Sequence, residues 1–365
     1  MRICYLSDAG SVHTKKWCSF FKDLGYEIHV ISLNDGQIPG VVVHSLNIKL
    51  EDVKSKYLFN KLRYFKFISK VKELVKEINP DIVHAQYATS YGYLGKVTNF
   101  HPYIISVWGS DVYDFPKNNV VCKRFLKNNL AKADRILSTS KVMAEETKKY
   151  TNKSIEITPF GVDTNVFVPF EDRYDNRDNI VIGTVKTLEK KYGIEYLIRA
   201  FANLTKKHNN IILEIAGLGS QKEYLYNLCK ELGIEEKVEF LGFIDQKKVI
   251  EAFNRFDIVV FPSTLDSESF GVAAVEAQAC GAATIVSNVG GLPEATSPNQ
   301  SSLIVTKENI TELEKAIEKL ILNKDLRISM GKYGRKFVLE NYELKDNFEK
   351  VDKIYKDIVK EKHSK

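Results

Sequence analysis

No apolar run in this chain approaches the roughly eighteen residues a membrane-spanning helix needs, so no segment is expected to cross a bilayer as a helix. Cysteine is scarce and unpatterned. Cys4, Cys18, Cys122, Cys229 and Cys280 show no C-x-x-C spacing, which argues against a zinc site or a disulfide framework and for a reducing compartment. A signal peptide is missing from the reading as well. Met1-Arg-Ile-Cys-Tyr-Leu-Ser-Asp8 gives a short strand followed by a charge, so the expected location is the cytoplasm.

What the chain does have is ordinary globular composition, 44% hydrophobic and 27% charged over 365 residues, enough for two domains with separate cores. Its net charge of +6 is unevenly placed. Residues 1–163 carry 24 Lys/Arg against 16 Asp/Glu, a balance of +8, and the remainder carries 29 against 31, a balance of −2. A positive excess confined to one half suits either nucleic acid or an anionic membrane surface.

The first half opens with a strand over 3–7, a helical 14–24, Gly25, and a strand over 27–32, which together make a βαβ unit. Apolar runs at 81–84, 103–107 and 133–138 give further strands. A Pro/Gly/Asp-rich stretch over 159–178 reads as a linker. The pattern then restarts, with strands at 179–183, 211–216, 238–241, 258–261 and 283–286 and helical stretches between them, the first over 194–207. The expected fold class is α/β, with two doubly wound, Rossmann-like domains facing a central cleft. The expected boundaries are 1–165 and 166–345. A last amphipathic stretch, about 346–362, returns to the first domain.

The most informative segment is 261–281, Phe-Pro-Ser-Thr-Leu-Asp-Ser-Glu268-Ser-Phe-Gly271-Val-Ala-Ala-Val-Glu276-Ala-Gln-Ala-Cys-Gly281. It reads as strand, loop and helix, with Glu268 at the carboxyl end of a strand. A helix N-terminus follows, and its free N–H groups attract anions. Glu268 and Glu276 stand eight residues apart, just over two helical turns. A carboxylate for hydroxyls beside donors for phosphate suits a sugar nucleotide.

Here the chain resembles the retaining GT-B-fold glycosyltransferases of the large nucleotide-sugar family 4. The resemblance covers nearly the whole length. It rests on Pro80-Asp-Ile-Val-His84, Gly109-Ser-Asp111, Pro159-Phe-Gly-Val-Asp163, Glu268-x7-Glu276 and Val289-Gly-Gly-Leu-Pro-Glu294, all in the family's order. It implies that Glu268 faces the donor sugar's hydroxyls and Glu276 the ribose, and that the amides of Ser269, Phe270, Gly271 and Val272 meet the diphosphate or sugar. It also implies two cations on the diphosphate. Lys186 stands where the family usually has Arg, and Lys191 fits the second place better than Lys190. Gly10 and Phe243 are implied on the donor side, the latter through backbone against the base. Gly217-Leu-Gly219 follows a strand end, where Gly217 suits a donor-binding turn and a plain tight turn equally well. Many relatives have His where Trp108 stands, touching the donor sugar or reacting centre; here either the Trp108 indole replaces that contact by stacking, or Asp111 at the reacting centre and His84 on the acceptor or sugar side take over the polar work. For His84 a satisfied core histidine is the competing assignment. With Gly10 followed by Ser11, either Ser11 adopts a left-handed conformation or the loop turns differently.

The reading that follows is a metal-independent retaining transferase without a cofactor. It moves a hexose or N-acetylhexosamine from a nucleoside diphosphate, UDP favoured, to a glycan or lipid-linked acceptor in surface polysaccharide synthesis. No Asp-x-Asp motif is present for a metal-held diphosphate; lysines and a helix N-terminus would serve instead. The alternatives are a nucleotide-sugar epimerase, a phosphorylase, or a non-catalytic binding module. Residues 54–76 hold eight Lys/Arg and one acid, with interleaved aromatics, and suggest peripheral contact with the inner face of an anionic membrane. A solvated helix face is the alternative there, and no nucleic-acid motif accompanies the segment.

Overall fold

The structure is a computed structural model that describes residues 1–47, 58–175 and 178–364, with backbone alone for 58–66 and 363. Part of the basic stretch 54–76 therefore lies outside the described residues. The chain divides into two compact units, Met1–Phe160 with Asn347–Lys365, and Gly161–Asp346.

The first unit is built on seven parallel strands, β1 (Arg2–Leu6), β2 (Glu27–Ser32), β3 (Val42–Ser45), β4 (Ile82–Gln86), β5 (Tyr103–Val107), β6 (Arg135–Ser138) and β7 (Ile155–Ile157). Their order is β3-β2-β1-β4-β5-β6-β7, which reverses between β1 and β4. Strands β4 and β5 are buried at every position, as expected of a parallel sheet covered on both faces. The C-terminal helix, Leu344–His363, joins this unit from Asn347 onward. It buries Phe348, Val351, Tyr355 and Ile358, with the Phe348 ring 5.0 Å from Trp17 and the Tyr355 ring 5.1 Å from Phe21. The i, i+3, i+7, i+10 spacing of those residues is one helical face.

The second unit has six parallel strands, β8 (Ile180–Val185), β9 (Ile211–Ala216), β10 (Val238–Gly242), β11 (Ile258–Phe261), β12 (Ala283–Ser287) and β13 (Ser302–Val305). Their order, β10-β9-β8-β11-β12-β13, reverses between β8 and β11. The helix Ile194–Leu204 ends three residues before the predicted 207 and covers the sheet with Ile194, Leu197, Ile198, Phe201 and Leu204.

Two details differ from the sequence reading. Strands β3, β7 and β13 were not foreseen; each lies at a sheet edge and is three or four residues long, too short for a period to show. The presumed linker is also packed. Phe167 is buried, and the guanidinium of buried Arg173 donates to the carbonyls of Asn254 and Phe256 at 3.1 and 2.6 Å, capping the end of the helix Gln246–Arg255. Arg173 thus serves orphan carbonyls, whereas Glu171, Asp172 and Asp175 around it face solvent.

Candidate functional site

In the second unit the strand order reverses beside the carboxyl ends of β8 and β11, where doubly wound sheets open a crevice. Lys186 follows β8 directly, and Glu268 lies in the loop after β11. The two meet there. The Lys186 ammonium lies 2.9 Å from each oxygen of the Glu268 carboxylate, and the side chains are 16% and 10% exposed. Such a pair is partly shielded from water yet open enough to exchange partners.

Tyr192 organises the cations. Its ring lies 4.6 Å from the Lys186 ammonium and 4.8 Å from that of Lys191, so one aromatic face system gathers both charges. Residues 190–192 form a single 3₁₀ turn, closed by Gly193 in the left-handed region. The Lys191 carbonyl accepts from the amide and hydroxyl of Thr264 at 2.8 and 3.2 Å, which ties the lysine loop to the loop of Glu268. A Cβ on Gly193 would stand 2.1 Å from the Pro262 carbonyl, so only glycine permits that approach.

The Glu268 loop is seated from below by Val289-Gly-Gly. The Gly291 amide donates to the Glu268 carbonyl at 2.8 Å, and a Cβ on Gly290 would fall 2.2 Å from that same oxygen. After the loop, Ser269 and Phe270 are buried and Gly271, at φ 88°, starts the helix Val272–Ala279. No side chain caps that start, so its first amides point outward. Val272, Ala273 and Glu276 are the half-exposed residues of this helix, while Ala274, Val275, Ala277, Gln278 and Ala279 are buried. Glu276 therefore shares one accessible stripe with the uncapped first turn. Together, Lys186, Lys191, Glu268, the helix start and Glu276 offer cations and amides to an anion and carboxylates to hydroxyls.

Gly217 permits a close approach of backbone to backbone. A Cβ there would lie 1.9 Å from the Lys186 carbonyl, and one on Gly219 2.3 Å from that of Leu188. The two glycines let backbone pack on backbone and hold the lysine loop in place. Phe243, beyond β10, is 77% exposed, and the preceding Gly242 carbonyl accepts from the Gly217 amide at 2.7 Å.

The first unit places its residues differently. Asp111 is fully buried at the start of the short helix Ser110–Tyr113 and accepts from the backbone amides of Ala88, Trp108 and Gly109 at 2.8, 3.1 and 2.8 Å. Burial raises its pKa above the ordinary carboxylate value, and those amides oppose the rise. In this structure its carboxylate oxygens are committed to the loop. His84 is enclosed in the same way. It is fully buried, with Nδ1 2.6 Å from the Tyr355 hydroxyl and Nε2 2.8 Å from that of Ser106, and burial holds its pKa down to about 3. Trp108 is half-buried, its ring 5.6 Å from that of Phe160, which stacks on His13 at 4.3 Å. Gly10 is exposed and donates to the Asp8 carboxylate at 2.9 Å; Ser11 keeps an extended conformation, so this loop closes as an Asx turn without a left-handed residue.

Sequence reasoning missed Tyr192, Thr264 and Arg173. Only Tyr192 left a signal, an aromatic between the lysines and the helix-opening glycine.

Comparison with known proteins bears on the family and the fold. Residues 2–140 match the family model described as glycosyl transferase 4-like, and residues 170–337 match glycosyl transferases group 1. The chain is 31% identical over 263 residues to a D-inositol 3-phosphate glycosyltransferase of Corynebacterium jeikeium, covering 67% of this chain and 61% of that protein. The chain thus spans about three fifths of that curated relative. It is 25% identical to an N-acetyl-alpha-D-glucosaminyl L-malate synthase of Bacillus anthracis, covering 98% of this chain and 96% of the relative. Among solved structures, a sucrose-phosphate synthase of Thermosynechococcus elongatus superposes with a TM-score of 0.83 at 20% identity, over 98% of both chains. Anabaena Alr3699/HepE in complex with UDP gives 0.83 at 17%, over 98% of this chain and 100% of that one. These likenesses establish the GT-B fold with its two Rossmann-like units.

Proposed function

Because the chain belongs to the group 1 glycosyltransferases, a family of enzymes, we propose that it is a retaining transferase acting on a UDP-hexose or UDP-N-acetylhexosamine. The observation that carries this reading is the Lys186–Glu268 pair at the strand reversal, beside an uncapped helix start and Glu276. UDP is favoured because a structural neighbour of the same fold holds it.

On donor binding, Lys186 exchanges the Glu268 carboxylate for the diphosphate, joined by Lys191 and the amides at Gly271 and Val272. Glu268 is thereby released to accept hydrogen bonds from the sugar hydroxyls, and Glu276 takes the ribose. As the bond from the anomeric carbon to the diphosphate oxygen breaks, the two ammonium groups and the helix start stabilise the leaving charge without a metal. The acceptor oxygen bonds to the same face of that carbon, and its proton passes to the leaving phosphate oxygen. The acceptor in this reading is a glycan or lipid-linked precursor of a surface polysaccharide, met on the inner face of an anionic membrane through residues 54–76. Among the described residues, no helix is long and apolar enough to cross a membrane.

A thermal-shift panel of UDP-, GDP- and ADP-sugars, with and without EDTA, tests the reading together with product NMR. Stabilisation by a UDP-sugar that survives chelation, with the donor's anomeric configuration kept in the product, is expected. Indifference to every nucleotide sugar, or an inverted product, overturns it.

A further inference from the structure

The helix Val120–Leu130 of the first unit packs through one face and leaves an unusual surface on the other. Leu126, Asn129 and Leu130 are buried, and the Asn129 amide donates to the carbonyls of Ala88 and Thr89 at 3.0 and 3.2 Å. At its first turn, Val120 and Val121 are 80% and 77% exposed. Two adjacent β-branched residues there favour neither helix formation nor solubility, so folding gives no reason for them. Around them Lys117, Lys123, Arg124, Lys127 and Lys132 are all exposed, and no acid occurs between Phe115 and Ala133. The half-buried rings of Phe115 and Tyr93 flank Phe125 at 5.9 and 5.2 Å, and the Lys96 ammonium lies 5.7 Å from the Tyr93 ring.

We infer that this face is a docking surface for an anionic lipid bilayer. Apolar side chains at the tip, aromatics beside them and uniformly positive flanks match, in order of depth, the acyl boundary, the interface and the phosphate headgroups. Nucleic acid would need the cations but not the exposed valines. The chain path fixes the orientation. From the carboxyl end of β5, it passes through the helix Ser110–Tyr113 and then returns along Val120–Leu130 to the amino end of β6. The valines therefore sit at the carboxyl edge of the sheet, the edge that also carries Trp108 and the loop of Gly10. A bilayer held there presents a lipid-linked acceptor to that edge. This last consequence rests on the transferase reading, whereas the docking itself does not.

The test uses the full chain and vesicles of phosphatidylcholine with or without phosphatidylglycerol, at low salt. Flotation with the anionic vesicles is expected, and weak flotation with neutral ones. Val120→Ser with Val121→Ser, or Lys123→Ser with Arg124→Ser and Lys127→Ser, should each weaken it by about tenfold or more. In Val121→Trp, the emission of the introduced indole should shift to the blue and be quenched by brominated acyl chains. UDP-sugar binding and acceptor-free hydrolysis should match the parent in all of these variants, which separates failed docking from a failed transferase reading. Undiminished flotation of both surface variants, unmoved emission, or binding of a short DNA duplex in place of vesicles overturns the inference.

Discussion

The two sheets share one topology and use it differently. In each, the strand order runs 3-2-1-4-5-6 from an edge and reverses at the same place, so each presents a crevice at its carboxyl edge. In the first unit two ionisable groups near that edge are locked inside. Asp111 is spent on three backbone amides and His84 on two hydroxyls, and both are fully buried. In the second unit the charged groups bind each other, Lys186 to Glu268, and remain partly accessible. Committed groups set stability, whereas a pair that can trade partners is suited to chemistry. The topology provides the place, and the choice of hydrogen-bond partner decides what the place does.

Three substitutions can break that comparison. Asp111→Ala leaves buried amides without an acceptor and should cost the first unit about 3 kcal/mol. Chemical denaturation measures this, and undiminished stability with lost turnover would return Asp111 to the reacting centre. Glu268→Gln should do the opposite. Turnover should fall by about tenfold to a hundredfold with stability nearly unchanged. UDP affinity, read by calorimetry, should hold or rise, because the substitution frees Lys186 for the diphosphate. A weakened UDP site with normal turnover would contradict the exchange of partners.

The smallest effect concerns pH. The pKa of His84 is held at about 3 when folded and returns to its ordinary 6.5 when unfolded. Between those values the unfolded chain binds a proton that the folded one refuses, so stability rises with pH across that window and is lost on acidification. From pH 7 to pH 5 this one residue should account for about 2 kcal/mol. His84→Gln should remove that part of the acid sensitivity, seen as a smaller difference between denaturation midpoints at the two pH values. An identical pH profile would mean that His84 is protonated in place.

How much was legible in the sequence follows the range of the interaction. Strands such as Ile258–Phe261 and Ile211–Ala216 announce themselves in contiguous apolar residues, and the Glu268–Glu276 spacing is local to one loop and helix. Contacts across the chain are another matter. Lys186 and Glu268 are 82 residues apart, and nothing local says that they pair. His84 looked like a site residue because its partner, Tyr355, lies 271 positions away. Gly217-Leu-Gly219 suits a nucleotide loop and a tight turn alike, because a glycine needed for backbone approach to a ligand and one needed for approach to Lys186 are the same residue in sequence.

The placement of Tyr355 has a consequence for how the protein is made. The first unit is assembled from two stretches of the chain, with the whole of Gly161–Asp346 encoded between them. On a ribosome, Tyr5, Trp17 and His84 emerge well before the Tyr355 hydroxyl that joins all three. The second unit can finish folding while the first still has an open seam. A chain cut before Tyr355 would leave Tyr5, Trp17 and His84 without that partner, so the core of the first unit depends on a residue translated after the whole second unit.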